Sequence, residues 1–274
     1  MLFTTPFRIA ATCAVVTLGV TACSSGSGAT KSAAAPAPAT SAASAAPTSA
    51  APSASPSATG PDLSTMTGDQ ILQQAITALK GAGSLQTVIS GTTSGVPIQA
   101  HVSVDAKGDC SGNMSMGPGG SADVLSTPQQ TYLRPDATML TTFWGGEGAA
   151  AAKLLNGRWM SGVQNDADLK DIADSCSLEQ YTDQLGKAGD KATKGSTDTV
   201  NGQPAVIVHI ARADGGQTDL WVATQGTPWP LKSVDKDSDG SGTATFSAFN
   251  APVTVTPPAD SDVIAASKLK ALAG

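Results

Sequence analysis

Apolar and polar side chains alternate along Val96–Asp105, where the even-numbered positions up to Val104 are apolar. A period of two residues predicts a β-strand with one face in water. Residues 204–212 and 218–224 differ, because apolar side chains occupy both faces of these predicted strands. A sheet that is apolar on both sides must be covered by helices on its second face or enclose an apolar hollow. This hollow is the main functional indication in the pattern.

The pattern of apolar and polar positions predicts further helices and strands. Helical spacing of apolar residues predicts helices at 62–80, 148–155, 166–186 and 260–272. Short β-type runs between Gly, Pro and Asp predict the other strands, at 85–91, 110–116, 122–126, 129–134, 191–200, 230–237, 243–249 and 253–256. The order of helix, strands, helices and strands indicates an α+β fold with an antiparallel meander.

The chain begins with the features of an export signal. Arg8 precedes an apolar run at 9–20, which is shorter than the roughly 20 residues that a spanning helix needs. The sequence VTAC at 20–23 resembles the bacterial lipobox, which implies that residues 1–22 are removed and that Cys23 carries lipid such as palmitate. The alternative is an ordinary signal peptide in which Cys23 is incidental. An acyl anchor would hold the protein at the extracytoplasmic face of the cell membrane.

Residues 23–61 have the composition of a linker. Ala, Pro, Ser and Thr dominate residues 30–60, and Lys31 is the one charged residue there. Such a segment buries too little apolar surface to offset its ordering entropy, so we predict a disordered spacer. Residues 62–274 remain as a single domain, which is long enough for a sizeable core.

The charge of the chain bears on its partners. The formal net charge is −6 at pH 7, and no cluster of Lys or Arg is present to neutralise phosphates. This composition argues against nucleic acid as a partner. It also argues against broad contact with anionic lipid headgroups.

Cysteine usage agrees with export. Cys13 lies in the predicted signal and Cys23 at the lipobox, which leaves Cys110 and Cys176 in the domain. In an oxidising compartment two cysteines most simply pair, and closing this loop would stabilise the fold by roughly 4 kcal/mol in the chain-entropy model. Two buried thiols or a redox pair are the alternatives, although no Cys-x-x-Cys motif is present.

The sequence contains few features that are typical of an enzyme. His101 and His209 are the only histidines, and both fall inside predicted strands, where a histidine is more often structural than a catalytic base. There is no Gly-x-Ser-x-Gly elbow and no His-Glu-x-x-His pair. We therefore predict a protein that is not an enzyme and needs no cofactor.

The acidic stretch at 235–240 invites a comparison with calcium loops. Asp235, Asp237 and Asp239 followed by Gly240 match positions 1, 3, 5 and 6 of an EF-hand loop, but position 12 is Phe246 rather than the required Glu. Strand patterns flank the stretch on both sides, and Asp-Gly between strands indicates a hairpin turn. We predict a turn and no metal site.

Several motifs also carry a family resemblance. In order they are QQTYLRP, LNGRWM, TVNGQPAVIVHI, TDLWVATQGTPWPLKSV and TFSAFNAPVTVTPP. The order of these motifs, over about residues 71–257, resembles the order in actinobacterial lipoproteins of the LppX and LprG type, which share the LolA-like fold. The resemblance implies a curved antiparallel sheet that forms a half-open barrel, covered on its concave face by helices. It also implies a hydrophobic cavity in which lipids or glycolipids are carried or presented outside the cytoplasmic membrane.

We therefore expect a lipid-anchored exported protein that holds a lipid or other lipophilic ligand in an apolar cavity at the cell envelope. The rival hypothesis is an interaction module that displays a surface to another envelope protein and has no cavity. For the cavity wall we predict residues from one face of the central strands together with neighbouring apolar side chains: Val102, Trp159, Ile207, Trp221 and Phe246.

Overall fold

The computed structural model describes residues 60–187, 189–238 and 240–274. The predicted signal peptide, the predicted lipidation site Cys23 and the predicted linker up to residue 59 lie outside the described residues. Asp239 of the acidic stretch also lies outside them. The described residues contain six α-helices and one large sheet.

The sheet has 12 strands and the helices are short. The strands are β1 Ser84–Thr93, β2 Val96–Asp105, β3 Cys110–Ser115, β4 Ser121–Ser126, β5 Thr131–Pro135, β6 Trp159–Ser161, β7 Lys191–Val200, β8 Gln203–Ala211, β9 Gln217–Ala223, β10 Pro230–Asp237, β11 Gly240–Ser247 and β12 Val263–Ala265. The helices are α1 Gly68–Lys80, α2 Ala137–Trp144, α3 Gly146–Leu155, α4 Lys170–Asp174, α5 Leu178–Gln184 and α6 Ala266–Ala273.

Two antiparallel meanders make up the sheet. Strands β1 to β6 pair in chain order, as do β7 to β11, and the pairing of β1 with β11 joins the two blocks. β12 is the exception, since it lies parallel to β6 at one edge. The result is a curved, unclosed antiparallel sheet, which confirms the predicted α+β fold class.

The core lies on one face of this sheet, which we call the inner face. Thr87 of β1 pairs with Val102 of β2 and with Phe246 of β11, and all three side chains are buried. The next positions along these strands point to the opposite, outer face, where His101 and Val88 are exposed. Alternation along β1 and β2 therefore separates a buried face from a wet one. On the outer face of β8 and β9 a second, small cluster is buried, which contains Ala205, Ala223 and Leu231.

Helix α1 covers the inner face of β7 to β10. Its start is fixed by a capping box, in which Thr67 Oγ1 accepts from Gln70 N and Gln70 Oε1 accepts from Thr67 N. The residues that α1 buries recur at helical spacing: Ile71, Leu72, Ala75, Ile76 and Leu79. Burial of this stripe, rather than helix propensity, stabilises a helix of this length.

Three predicted elements were wrong in detail. The helix expected at 166–186 is two short helices, α4 and α5, separated by a turn at Ser175–Ser177. The strand expected at 253–256 does not form, because this stretch has no pairing partner in the sheet. The helix expected at 260–272 is replaced by β12 and α6, since residues 263–265 pair with β6 instead of continuing a helix.

Helix α2 was not predicted. Its sequence, ATMLTTFW, is rich in Thr and aromatic residues, which have modest helix propensity. Asp136 supplies the N-cap, because its Oδ1 accepts from Met139 N at 2.7 Å and its Oδ2 accepts from Ser121 N at 2.8 Å. Burial alone would raise the pKa of this carboxyl, but these hydrogen bonds together hold the pKa below its usual value.

The acidic stretch lies in a β-hairpin of the predicted kind. β10 ends at Asp237 and β11 begins at Gly240, whose N–H donates to Asp237 Oδ1 at 3.0 Å. Asp235 and Asp237 both lie beside the guanidinium of Arg212, at 3.8 and 3.3 Å. An arginine therefore occupies the space between these two carboxylates.

Gly148 allows α2 and α3 to pack closely, and its replacement tests this packing. A methyl group at Gly148 would overlap the carbonyl of Leu140 and the Cα of Thr141. We expect Gly148→Ala to lower the free energy of unfolding by about 1 to 3 kcal/mol, measured by urea denaturation. Gly146 is the matched control, because no atom lies within 4 Å of its added methyl group, and Gly146→Ala should not destabilise the protein. Equal effects of the two variants would contradict this account.

Candidate functional site

An open groove of about 730 Å³ lies at one end of the sheet, between the strand ends and the helices. Two turns form one wall, the β2–β3 turn at 105–108 and the β4–β5 turn at 126–131. The end of α1 and the first part of α5 form the other wall, with Cys176 and Gln164 beside them. A volume of this size lies within the range of small-molecule sites, roughly 300 to 1,000 Å³.

The strand side of the groove is held by local hydrogen bonds. Asp105 Oδ1 accepts from the N–H groups of Lys107 and Asp109, at 2.8 and 2.9 Å, which fixes the β2–β3 turn. Ser126 and Thr131 are buried and share a hydroxyl hydrogen bond of 2.8 Å across the β4–β5 turn. This wall is therefore polar and locally well ordered.

A disulfide attaches the helical side to the sheet. Cys110 at the start of β3 is bonded to Cys176 in the turn between α4 and α5, with the two Cα atoms 5.5 Å apart. Tyr181 of α5 is buried, and its hydroxyl donates to Ser175 O at 3.1 Å. Burial raises the pKa of Tyr181 above its usual value, so the phenol keeps its proton and this hydrogen bond into alkaline solution.

The lining of the groove is amphipathic. Leu79 and Cys176 are buried at its base, and Leu178 is half-buried beside them. Ionic side chains of both signs surround this apolar base, and the acids Asp105, Glu179 and Asp183 outnumber the bases Lys80 and Lys107. The charges therefore do not favour an anionic ligand. The amides and hydroxyls around them can bind a neutral polar group.

The space between sheet and helices is occupied by side chains. The largest completely buried ones come from both layers and form one cluster: Ile71, Leu79, Leu85, Val104, Leu133, Met139, Leu140, Leu155, Met160, Leu169, Leu220 and Leu269. The apolar residues on the inner face of the strands thus contact helices instead of lining a hollow. In this conformation a ligand has room in the groove at the sheet end rather than in this packed interior.

Among the buried hydroxyls of the described residues, that of Thr87 is unsatisfied. Thr87 is completely buried on the inner face between Val102 and Phe246, and its Oγ1 has no hydrogen-bond partner among the described residues. An unsatisfied buried hydroxyl costs roughly 1 to 3 kcal/mol. The sequence alone did not single out Thr87.

The structure does not bring the five predicted cavity residues together. Val102 and Phe246 lie on the inner face, one on each side of Thr87. Ile207 and Trp221 pair with each other across β8 and β9 and point to the outer face, half-exposed. Trp159 also points outward, because its neighbour Met160 is the buried residue of β6.

The two outward tryptophans have polar partners on the sheet surface. The ammonium of Lys232 lies 4.5 Å from the ring centre of Trp221, and Asp198 accepts from Trp221 Nε1 at 2.8 Å. Arg134 lies 4.7 Å from the ring centre of Trp159. Both rings therefore lie on the outer face, where Trp221 also packs against the small buried cluster of Ala205, Ala223 and Leu231.

The sequence patterns did not predict the residues that line the groove. Most belong to turns, where no periodicity marks a face, and to α5, which was assigned to a longer helix. The available signal was the occurrence of Gly, Pro and Gln at 105–108 and 127–130, which was interpreted only as turns between strands.

The histidines lie on the outer face, away from the groove lining. His101 is exposed, and His209 Nδ1 lies 2.6 Å from Asp219 Oδ1. Within residues 60–187, 189–238 and 240–274, no group of three or more His, Cys, Asp or Glu side chains is arranged to hold a metal ion. Among these same residues, no helix is long and apolar enough to cross a membrane.

Comparison with known proteins gives structural similarity alone. No protein-family model matches the chain, and no curated protein sequence matches it. Among solved structures, the chain is similar to the lipoprotein LppX of Mycobacterium tuberculosis, with 16% identity, 69% of this chain and 99% of LppX covered, and a TM-score of 0.48. It is also similar to LprF from Mycobacterium bovis, with 18% identity, 70% and 97% covered, and a TM-score of 0.47.

A third similarity is to a LolA superfamily protein from Nitrosomonas europaea. The identity is 10%, the alignment covers 70% of this chain and 96% of that protein, and the TM-score is 0.26. LppX is a lipoprotein, of the type that the sequence motifs resemble. These identities and TM-scores are too low to indicate what this chain binds. Its own groove is the basis for a proposal.

The disulfide beside the groove gives a stability prediction. Cys110 and Cys176 are 66 positions apart, so loss of the bond should lower the free energy of unfolding by about 4 kcal/mol in the chain-entropy model. Urea denaturation of the Cys110→Ala, Cys176→Ala double variant measures this loss. Wild-type protein unfolded under reducing conditions is the control and should show a similar change. A loss below about 1 kcal/mol would show that the bond is dispensable for the fold.

Proposed function

We propose that this protein is an exported, lipid-anchored binding protein that holds a lipid or another lipophilic ligand at the cell envelope and catalyses no reaction. The observation that carries the proposal is the open amphipathic groove between sheet and helices, with Leu79, Cys176 and Leu178 at its base. An acyl chain would lie against Leu178, which is half-buried beside the buried Leu79 and Cys176, and the polar part of the ligand would face the amides and hydroxyls of the turns. Burial of apolar surface, at about 25 cal/mol per Å², would drive uptake.

Movement of the helical wall would let a ligand bury more of its apolar surface. α4 and α5 have five and seven residues, and neither has a side-chain cap at its start. Short helices that lack a side-chain N-cap are marginally stable, so they open more easily than the core of the fold. Movement of this wall would open the apolar interior beneath it, while the bond to Cys110 keeps the wall attached to the sheet. Thr87 Oγ1 would then be available to hydrogen-bond a polar group of the cargo.

The proposed location rests on the amino-terminal sequence. The lipobox-like VTAC at 20–23 and the linker composition after it support lipidation of Cys23 and a tether to the outer side of the cell membrane. The membrane would then be both the site of anchoring and a source of the ligand.

A second candidate is a non-enzymatic interaction module for another envelope protein. The packed interior favours it, because helices already cover the inner face in this conformation. Co-purification of one protein at fixed stoichiometry from the envelope, with no extractable lipid, would support this candidate over the first.

Ligand binding is tested by a charge placed in the groove. Leu178→Glu puts a carboxylate beside the apolar base, at the first residue of α5, where a helix tolerates an acid. We expect protein purified from the envelope of its own host to carry lipid, detected by native mass spectrometry and lipid extraction. The variant should carry at least about tenfold less, which corresponds to about 1.4 kcal/mol.

The matched control is Leu154→Glu, which makes the same change at an exposed leucine of α3 outside the groove. It should retain the wild-type lipid content. Lipid-free wild-type protein, or an equal loss in both variants, would overturn the proposal that the groove binds lipid.

A further inference from the structure

We propose that the outer face of the sheet carries a binding site for a neutral saccharide. The site is an open pocket of about 420 Å³, which we call the outer pocket. Its polar side chains come from the four adjacent strands β2 to β5: Gln99, Asn113, Ser115, Ser121, Asp123 and Arg134. Asn113 pairs with His101, which is exposed on the outer face. The outer pocket and the groove share no lining residue, so this inference goes beyond the proposed function.

Strand pairing arranges the polar side chains of the outer pocket in two rows. Residues that pair directly across neighbouring strands share a row, which gives one row of Gln99, Ser115 and Ser121 and one of Asn113, Asp123 and Arg134. Side chains that are paired in this way lie roughly 5 Å apart on one face of a sheet. The spacing of the polar groups is therefore set by the sheet itself, which positions a binding site more precisely than loops do.

Three of these side chains have hydrogen-bonding groups that the protein does not use. Among the described residues, the side chains of Gln99, Asn113 and Ser115 make no hydrogen bond. An amide and a hydroxyl each offer both donors and acceptors. Each hydroxyl of a sugar ring also donates and accepts, so a saccharide can pair with both kinds of group at once. A ligand with acceptors alone would leave the acceptors of the outer pocket unpaired.

The charges of the outer pocket are neutralised within the protein. Arg134 Nε and Nη2 both donate to Asp123 Oδ2, at 3.1 and 2.8 Å. Asp136 is used by the N-cap of α2, where its two oxygens accept from Met139 N and Ser121 N. One base and two acids line the outer pocket, so it does not attract an anion. We therefore expect an uncharged ligand.

Arg134 is held in place by contacts within the protein. Its guanidinium lies 4.7 Å from the ring centre of Trp159 while it donates to Asp123. These contacts leave Arg134 Nη1 and Asp123 Oδ1 without a hydrogen-bond partner among the described residues. The two atoms are a donor and an acceptor side by side, which match two neighbouring hydroxyls of a sugar ring. Because these groups are already ordered, binding costs less conformational entropy.

The outer pocket offers little apolar surface to a lipid. Met114, Ala122 and Pro135 are the apolar residues that line it. Ala122 and Pro135 are buried, and Met114 is half-buried against the core. An acyl chain would therefore contact mainly polar groups here, whereas an uncharged polar ligand finds hydrogen-bond partners that fix its orientation.

Titration with soluble oligosaccharides tests the inference. Maltohexaose, mannohexaose and chitohexaose are titrated into the full-length protein in a detergent without a sugar headgroup, and binding is measured by isothermal titration calorimetry. We expect at least one of them to bind. The Gln99→Ala, Asn113→Ala double variant should bind it about tenfold more weakly, because hydrogen bonds to both amides are lost. Binding should change little at high salt, since the ligand is uncharged.

The matched control is the Gln225→Ala, Asn165→Ala double variant, which removes the same two kinds of side chain at exposed positions outside the groove and the outer pocket. It should bind as the wild type does, and circular dichroism checks that both variants are folded. No binding of any of the three oligosaccharides, an equal loss in both double variants, or binding that high salt abolishes would overturn the inference.

The outcome is independent of the lipid-content measurement. Leu178→Glu should leave saccharide binding unchanged, because Leu178 lines the groove and not the outer pocket. Bound lipid without saccharide binding contradicts only this inference, whereas saccharide binding by a protein that carries no lipid contradicts only the proposed function.

Discussion

The pairing of β1 with β11 is the contact on which the rest of the molecule depends. It joins residues 84–93 to residues 240–247 and turns two separate meanders into one sheet of 12 strands. Its register brings Phe246 beside Thr87, and the β1–β2 register brings Val102 to the other side. Pairing over such a sequence distance costs loop-closure entropy, which the helices on the inner face help to offset by burying apolar surface.

Packing on the inner face limits where a ligand can bind. α1 lies on β7 to β10, while α2 lies near β4 and β5, so both meanders contribute to one core. Space for a ligand is left at the sheet end, where the turns diverge from α1 and α5. The groove and the disulfide that holds its helical wall are therefore consequences of one arrangement of strands and helices.

Local patterns predicted several features correctly. Alternation in Val96–Asp105 and the Asp-Gly signal at 239–240 correspond to β2 and to the β10–β11 hairpin. Elements that depend on distant partners were missed or misassigned. Residues 263–265 form a strand because β6 is beside them, and residues 253–256 have strand composition but no partner. The groove was not predicted, since its lining comes from turns and helix ends that are brought together only by folding.

Local sequence patterns were enough to predict the β10–β11 hairpin, the pairing of Cys110 with Cys176 and the spacing of the α1 core residues. It could not determine which face of each strand is covered. Ile207 and Trp221 are as apolar as Val102 and Phe246, yet they lie on the outer face, because the register from β8 through β11 to β1 fixes their direction. The tertiary structure decided this, since alternation defines two faces but only contact with the helices makes one of them the inside.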